Sequence, residues 1–464
     1  MLDMITKINA ALNGIVWGWP ALILLAFVGV LTTCITKCFQ ISHFGHWMKN
    51  TIGAIFKDSK VTSHTSDRSI SQFQSLCTAL AATVGTGNIV GVAGAILVGG
   101  PGAVFWMWVS AFFGMSTIYG EAVLAQKYKQ TNETGEVTGG PIYYIKAAFK
   151  GKLGSFMAAF FAVAITLALG FMGNMVQSNS IGDAFHTAFG VPKAVIGVII
   201  ACVCAFIFLG GVKRIAAITE KLVPIMACFY ILGSLIAIIM NAGNILPAFK
   251  AIFVGAFNPQ AVLGGALGVT VKEAMRFGVA RGLFSNEAGM GSTPHAHALA
   301  KVAKPQDQGV VAMIGVFIDT FIVLTMTALV ILTSGVLGTV GADGELLSGT
   351  ALAQAAFNHS FGSFGNAFVA ICLLFFAFST IIGWYFFGES NVKALFKGKK
   401  AARVAYGVIA LVFIAIGSFQ KVSLVWDMSD MFNGLMVIPN LLAVLALSGM
   451  VAKFAKDDDN LTGE

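Results

Sequence analysis

Few side chains in this sequence are equipped for chemistry, and most of them lie inside long apolar runs where a polar group is costly. Asp319 is the one carboxylate deep within an otherwise uncharged run, with Asp307 and Glu345 beyond its two ends. Burying a lone Asp at the centre of a membrane helix costs about 2.5–3.5 kcal/mol on insertion scales. Such a group calls for a bound cation such as sodium, held directly or through a neighbour; a proton relay and a structural hydrogen bond are the other two readings. Gly85-Thr86-Gly87-Asn88 sets an amide side chain between small residues in the middle of the run TALAATVGTGNIVGVAGAI. Asn174 and Gln177, three apart in GNMVQSNS, share one helical face. They suit hydrogen bonds to a solute or polar ties between helices. His295 and His297 are two apart, without an i, i+4 pair or a Cys beside them, so no zinc site is expected.

These residues point away from catalysis. The apolar runs hold no G-x-S-x-G, no Cys/His pair and no two clustered carboxylates, so an enzyme is not expected. An ion channel would also need pore-lining polar groups, but rings of charge or filter repeats are not visible. A glycine-rich break in a membrane helix, by contrast, supplies both signs of partial charge. The free N–H groups opening the outer half attract a carboxylate, and the free carbonyls ending the inner half suit an ammonium group or sodium. Thr86, Gly87 and Asn88 are therefore expected to contact a zwitterionic solute, largely through backbone. A second break is expected at Gly264, Gly265 and Gly268 in AVLGGALGVTVKEAMRFG, although glycines there would also serve close helix packing.

The elements that must position these groups are membrane helices. Hydrophobic residues make up 57% of 464 positions and charged ones only 11%, against roughly a quarter charged in soluble domains. Eleven runs approach the roughly 20 apolar residues a spanning helix needs, at 15–34, 73–98, 102–126, 153–178, 192–210, 215–240, 252–284, 308–335, 363–388, 402–420 and 425–452. The first lacks the flanks of a cleavable signal. The seven Cys read as buried thiols. Of 29 Lys and Arg, 25 fall in 35–72, 127–152, 211–221, 272–304, 389–403 and the tail, leaving Lys7, Lys193, Lys250 and Lys421 on the other side. The positive-inside rule makes the crowded side cytoplasmic, with the amino terminus outside and the carboxyl terminus inside. The net charge of +8 reflects this sorting rather than nucleic-acid binding, and the bilayer is the expected surroundings. Glu121, and Lys272, Glu273 and Arg276 on the inner half of the seventh span, read as interfacial or gate-pairing charges. Ser285, Asn286 and Glu287 read as an inner gate, and 39–60 as an amphipathic helix on the inner leaflet.

With the first span set aside, ten remain, in two groups of five that each open on a broken helix. Five being odd, the second group is inverted relative to the first, the pattern of an inverted-repeat transporter. The expected division is 1–72 for the extra helix and amphipathic segment, 73–240 and 241–452 for the repeats, and 453–464 for a cytoplasmic tail.

The blocks GTGNIVGVAGAILVGGPGAVFWMW, GGPIYYI, GNMVQSNS, GVKRIAAITEKLVP, RGLFSNEAGMGSTP and IDTFIVLTMTALVIL resemble the sodium:alanine symporter family from about residue 15 to 450. The resemblance implies sodium-driven uptake of a small neutral amino acid, alanine or glycine, through an all-α, leucine-transporter-like core behind one extra helix. Some similar members take glutamine. It further implies one sodium site at the Thr83 carbonyl, Asn88 and Asp319. A second would lie where Ser379 and Thr380 face the carbonyls of Ala81 and Val84. Sodium is then the coupling ion, and no other cofactor is implied.

Overall fold

The structure is a computed structural model that describes residues 2–42, 44–57, 59–62, 69–131, 137–260, 269–341 and 344–457. Gly264, Gly265 and Gly268, where the second break was expected, lie outside the described residues. The chain is predominantly helical, and the one sheet among the described residues pairs Gln130–Thr131 with Val137–Thr138. Among the described residues eight helices are long and apolar enough to cross a membrane, and the pair Gln72–Thr83 and Gly87–Gly99, bent by 48°, makes a ninth. Their outward faces are apolar, with Phe156 and Ile239 each 67% exposed, as lipid contact requires.

Among the described residues helices occupy ten of the eleven expected spans, and the seventh, 252–284, where a break was expected, is shared by two helices. Helix Ile245–Phe257 ends at Asn258, and a new helix, Val271–Asn286, starts on a reciprocal capping box. Thr270 Oγ1 accepts from the Glu273 amide at 3.2 Å, and the Glu273 carboxylate accepts from the Thr270 amide at 2.8 Å. That signature satisfies two orphan donors at a helix start. Val271–Asn286 then runs beside Gly102–Tyr128 in the same direction. A Cβ on Gly278 would fall 2.4 Å from the Ala103 carbonyl oxygen, so only glycine permits this approach. Further along the pair, Gln126 Nε2 donates to the Ala300 carbonyl at 3.0 Å.

This direction corrects an expectation. Lys272, Glu273 and Arg276 stand at the end of the bundle where Gly102–Tyr128 begins, not on the inner half beside Lys129. Among the described residues three π-helical stretches interrupt helices, Gly87–Gly91, Thr166–Gly173 and Phe317–Leu324. Such bulges shift the side-chain register and are frequent at functional sites.

Candidate substrate and ion site at two helix breaks

Helix Gln72–Thr83 starts on a capping box between Ser71 and Gln74 and leaves the helical path at Val84, with ψ 87°. The chain re-enters a helix at Gly87. Asn88 holds the bend from within: its Oδ1 accepts from the Gly85 amide at 2.9 Å. Its Nδ2 donates to Asp319 Oδ1 at 2.7 Å and to the Asp319 carbonyl at 3.2 Å. A Cβ on Gly85 would lie 2.4 Å from Thr380 Oγ1, and one on Gly87 3.1 Å from Ser285 Cα. Close approach of neighbouring helices therefore requires both glycines.

The second break lies at SNEAGMGSTP. Helix Val271–Asn286 stops at Glu287, which takes a left-handed conformation with φ 57°, and helical structure resumes at Pro294–Leu299. Ser285 donates to both Asp319 carboxylate oxygens, at 3.1 and 2.9 Å, and Thr320 donates to Oδ2 at 2.9 Å. Asp319 is thus fully buried among neutral donors from both breaks and from its own helix. Glu287, also fully buried, accepts from Trp384 Nε1 at 2.5 Å and from the Ser292 hydroxyl. Burying a carboxylate without a counter-charge is tolerable only when its oxygens are hydrogen-bonded.

Gln177 reaches the first break, where its Oε1 accepts from the Thr86 amide at 3.1 Å. Asn174, one turn earlier, donates to the Gly170 carbonyl at 3.1 Å. This leaves Thr86 Oγ1, Asn174 Oδ1 and Gln177 Nε2 buried with no hydrogen-bond partner, a rare condition for buried polar atoms. Aromatic rings flank the breaks: Phe284 meets Trp384 edge-on at 5.7 Å and Trp426 at 4.8 Å between ring centroids.

The expected Ser379/Thr380 pair is split. Thr380 Oγ1 lies 3.0 Å from the Ala81 carbonyl and 3.4 Å from that of Val84, the arrangement expected of a hydroxyl facing the first break. Both hydroxyls bond the Phe376 carbonyl, Ser379 at 2.8 Å and Thr380 at 3.0 Å, but Ser379 Oγ turns to Met226 Sδ, 3.4 Å away. Thr83 is buried at the end of its helix, its hydroxyl 3.4 Å from the Leu80 carbonyl.

Other residues have roles that the sequence reading did not find. Ser285, Asn286 and Glu287, expected at an inner gate, line the second break itself. Glu121, expected at the interface, is fully buried and accepts from Asn440 Nδ2 and, at 3.2 Å, from the Gly289 amide. The only signal for these roles was a carboxylate placed among small residues. His295 and His297 hydrogen-bond Ser292, Asn391 and Gln308. Among the described residues no group of His, Cys, Asp and Glu could hold a metal by itself.

The sequence model of the sodium:alanine symporter family matches residues 2–461. The chain belongs to that family. It is 42% identical to the sodium/alanine symporter AgcS of Methanococcus maripaludis, over 98% of this chain and 97% of that one. It is 40% identical to the probable sodium/glutamine symporter GlnT of Bacillus subtilis, over 98% of this chain and 91% of that one. Among solved structures, a Na+-coupled sialic acid symporter in a substrate-bound outward-open state superposes with a TM-score of 0.57 at 13% identity, over 94% of this chain and 86% of that one. The shared fold is that of a multi-pass membrane transporter, and the family is one of sodium-coupled amino-acid symporters.

Proposed function

We propose that this chain imports a small neutral amino acid, alanine or glycine, together with sodium by alternating access. The observation that carries the reading is the trio of buried, unpartnered groups around the first break, Thr86 Oγ1, Gln177 Nε2 and Asn174 Oδ1. A hydroxyl and an amide N–H suit a carboxylate, and an amide oxygen suits an ammonium group. The helix start at Gly87 adds positive partial charge for the same carboxylate. Small side chains fit because a Cβ on Gly87 would already stand 3.3 Å from the Phe284 ring.

Sodium sites are proposed at the Thr83 carbonyl, Asn88 and Asp319, and at Thr380 with the carbonyls of Ala81 and Val84. In the proposed architecture one extra helix precedes two inverted five-helix repeats, 73–240 and 241–452, with the amino terminus outside and the carboxyl terminus cytoplasmic. The second break then falls at 287–293. One sodium crossing about 100 mV releases about 2.3 kcal/mol. A tenfold sodium ratio adds about 1.4 kcal/mol, sufficient to concentrate a neutral solute on the order of several hundredfold.

A glutamine transporter of the same family is the second reading, favoured by the likeness to GlnT. Uptake of labelled alanine, glycine and glutamine into proteoliposomes under a sodium gradient separates the two. Glutamine alone accumulating refutes the small-substrate reading. Solute-driven counterflow is expected, and its absence would favour a channel.

A further inference from the structure

A groove of about 360 Å³ opens between helices Lys193–Phe208 and Lys400–Gly417, on the outer surface of the bundle. Its length is apolar: Phe208, Leu209, Val404, Val408 and Leu411 line it, with Gly407 at its floor. Leu209 is 87% exposed and Val404 and Val408 are each 56% exposed, so this face meets lipid. One end is different, because Lys400 and Arg403 stand at its mouth. Its one acidic lining residue, Glu389, is taken up by Arg403 at 2.8 and 3.0 Å. Lys397, Lys399 and Lys400 are exposed around the same end. Arg214, on the adjoining helix, donates to the Phe206 carbonyl at 2.6 Å and covers the Phe206 ring at 4.8 Å. An apolar channel closing on a cluster of cations complements one kind of molecule, an acyl chain under an anionic headgroup.

We propose that this groove binds an anionic phospholipid, its headgroup at Lys399 and Lys400 and one acyl chain along Val404, Val408 and Leu411. The basic end is also the end that the Lys and Arg distribution assigns to the cytoplasm, where anionic lipids attract such clusters. The other large groove, about 250 Å³ between Trp19–Ile35 and Gly102–Tyr128, has no charged residue in its lining and so nothing to select a headgroup. The inner wall of the proposed site is built of stacked rings. Phe208 stacks on Tyr385 at 3.5 Å between ring centroids, and Tyr385 stacks on Tyr406 at 5.1 Å.

The test is native mass spectrometry of the purified full-length chain titrated with phosphatidylglycerol or phosphatidylcholine. The unmodified protein is expected to prefer phosphatidylglycerol. Each Lys near a membrane surface contributes about 1 kcal/mol to such binding, or about fivefold in affinity. Lys399→Gln with Lys400→Gln should therefore weaken phosphatidylglycerol binding on the order of 30-fold. Val408→Trp, which fills the apolar length without altering charge, should lower occupancy by both lipids. Lys453→Gln with Lys456→Gln removes the same charge elsewhere and should leave the preference intact. Unmodified affinity in either groove variant overturns the proposal, and so does an equal loss in the control pair, which would make the attraction a diffuse surface effect.

Discussion

Thr380→Val removes one hydroxyl at nearly constant volume, and the structure sets what should follow. The hydroxyl lies 3.0 Å from the Ala81 carbonyl and 3.4 Å from that of Val84, two acceptors left exposed by the break after Thr83. Leaving a buried acceptor without a partner costs about 1–3 kcal/mol. Loss of a neutral oxygen ligand to sodium is taken at the same scale. If Thr380 shares the ion with these carbonyls, the sodium concentration for half-maximal uptake should rise roughly 5- to 150-fold. Ser379→Ala should leave it unchanged, because that hydroxyl faces Met226 Sδ while Thr380 faces the two carbonyls. The double variant, Ser379→Ala with Thr380→Val, should insert and fold yet lose concentrative uptake.

The assay is initial-rate uptake of labelled alanine by proteoliposomes across a range of external sodium at fixed potential. An unaltered sodium dependence in Thr380→Val would remove this site, and the coupling would then rest on Asn88 and Asp319. A shift in Ser379→Ala as large as that in Thr380→Val would refute the separation of the two hydroxyls.

Asn88→Ala should also raise the sodium requirement; a lower maximal rate with unchanged sodium dependence would make Asn88 a brace for the bend. Gly85→Ala should abolish uptake while the protein still reaches the membrane, since the added Cβ would meet Thr380 Oγ1 at 2.4 Å. Retained uptake in Gly85→Ala would show that the two helices can separate at no cost. A single cysteine introduced in 389–403 should resist labelling from outside intact cells, and one near the amino terminus should label; the reverse pattern overturns the orientation.

How much could be read beforehand differs sharply between the two breaks. The first was legible because its support is local: Asn88 supplies the acceptor for the Gly85 amide three residues away. A short motif therefore marks the bend, although Asp319, Gln177 and Thr380 also hold it. The same holds for Asp319, whose isolation in an apolar run marks it without any knowledge of its partners. Gln177 was found by helical spacing, and the structure gives it the Thr86 amide.

The second break has local ties too, the Ala288 amide to Asn286 Oδ1 at 3.0 Å, the Met290 amide to the Glu287 carbonyl at 3.0 Å and the Ser292 hydroxyl to Glu287. The rest is distant in sequence. Trp384 donates to Glu287 at 2.5 Å, and Asn440 bonds the Gly289 carbonyl at 2.9 Å and the Glu121 carboxylate. Glycine density gave no signal at 287–293, because backbone permissiveness records where a chain can bend and not where other helices hold it bent. The split of Ser379 from Thr380 has the same origin. Adjacent residues on a helix point about 100° apart, so an adjacent pair of hydroxyls presents both to one ligand only if that ligand sits between them. Here Ala81 and Val84 lie on the Thr380 side and Met226 on the other. Asn88 and Asp319 sit inside π-helical stretches and Asn174 immediately after a third. A π bulge turns side chains away from the phase that helical periodicity assigns, so spacing identified these residues as polar positions but could not say which helix each would face.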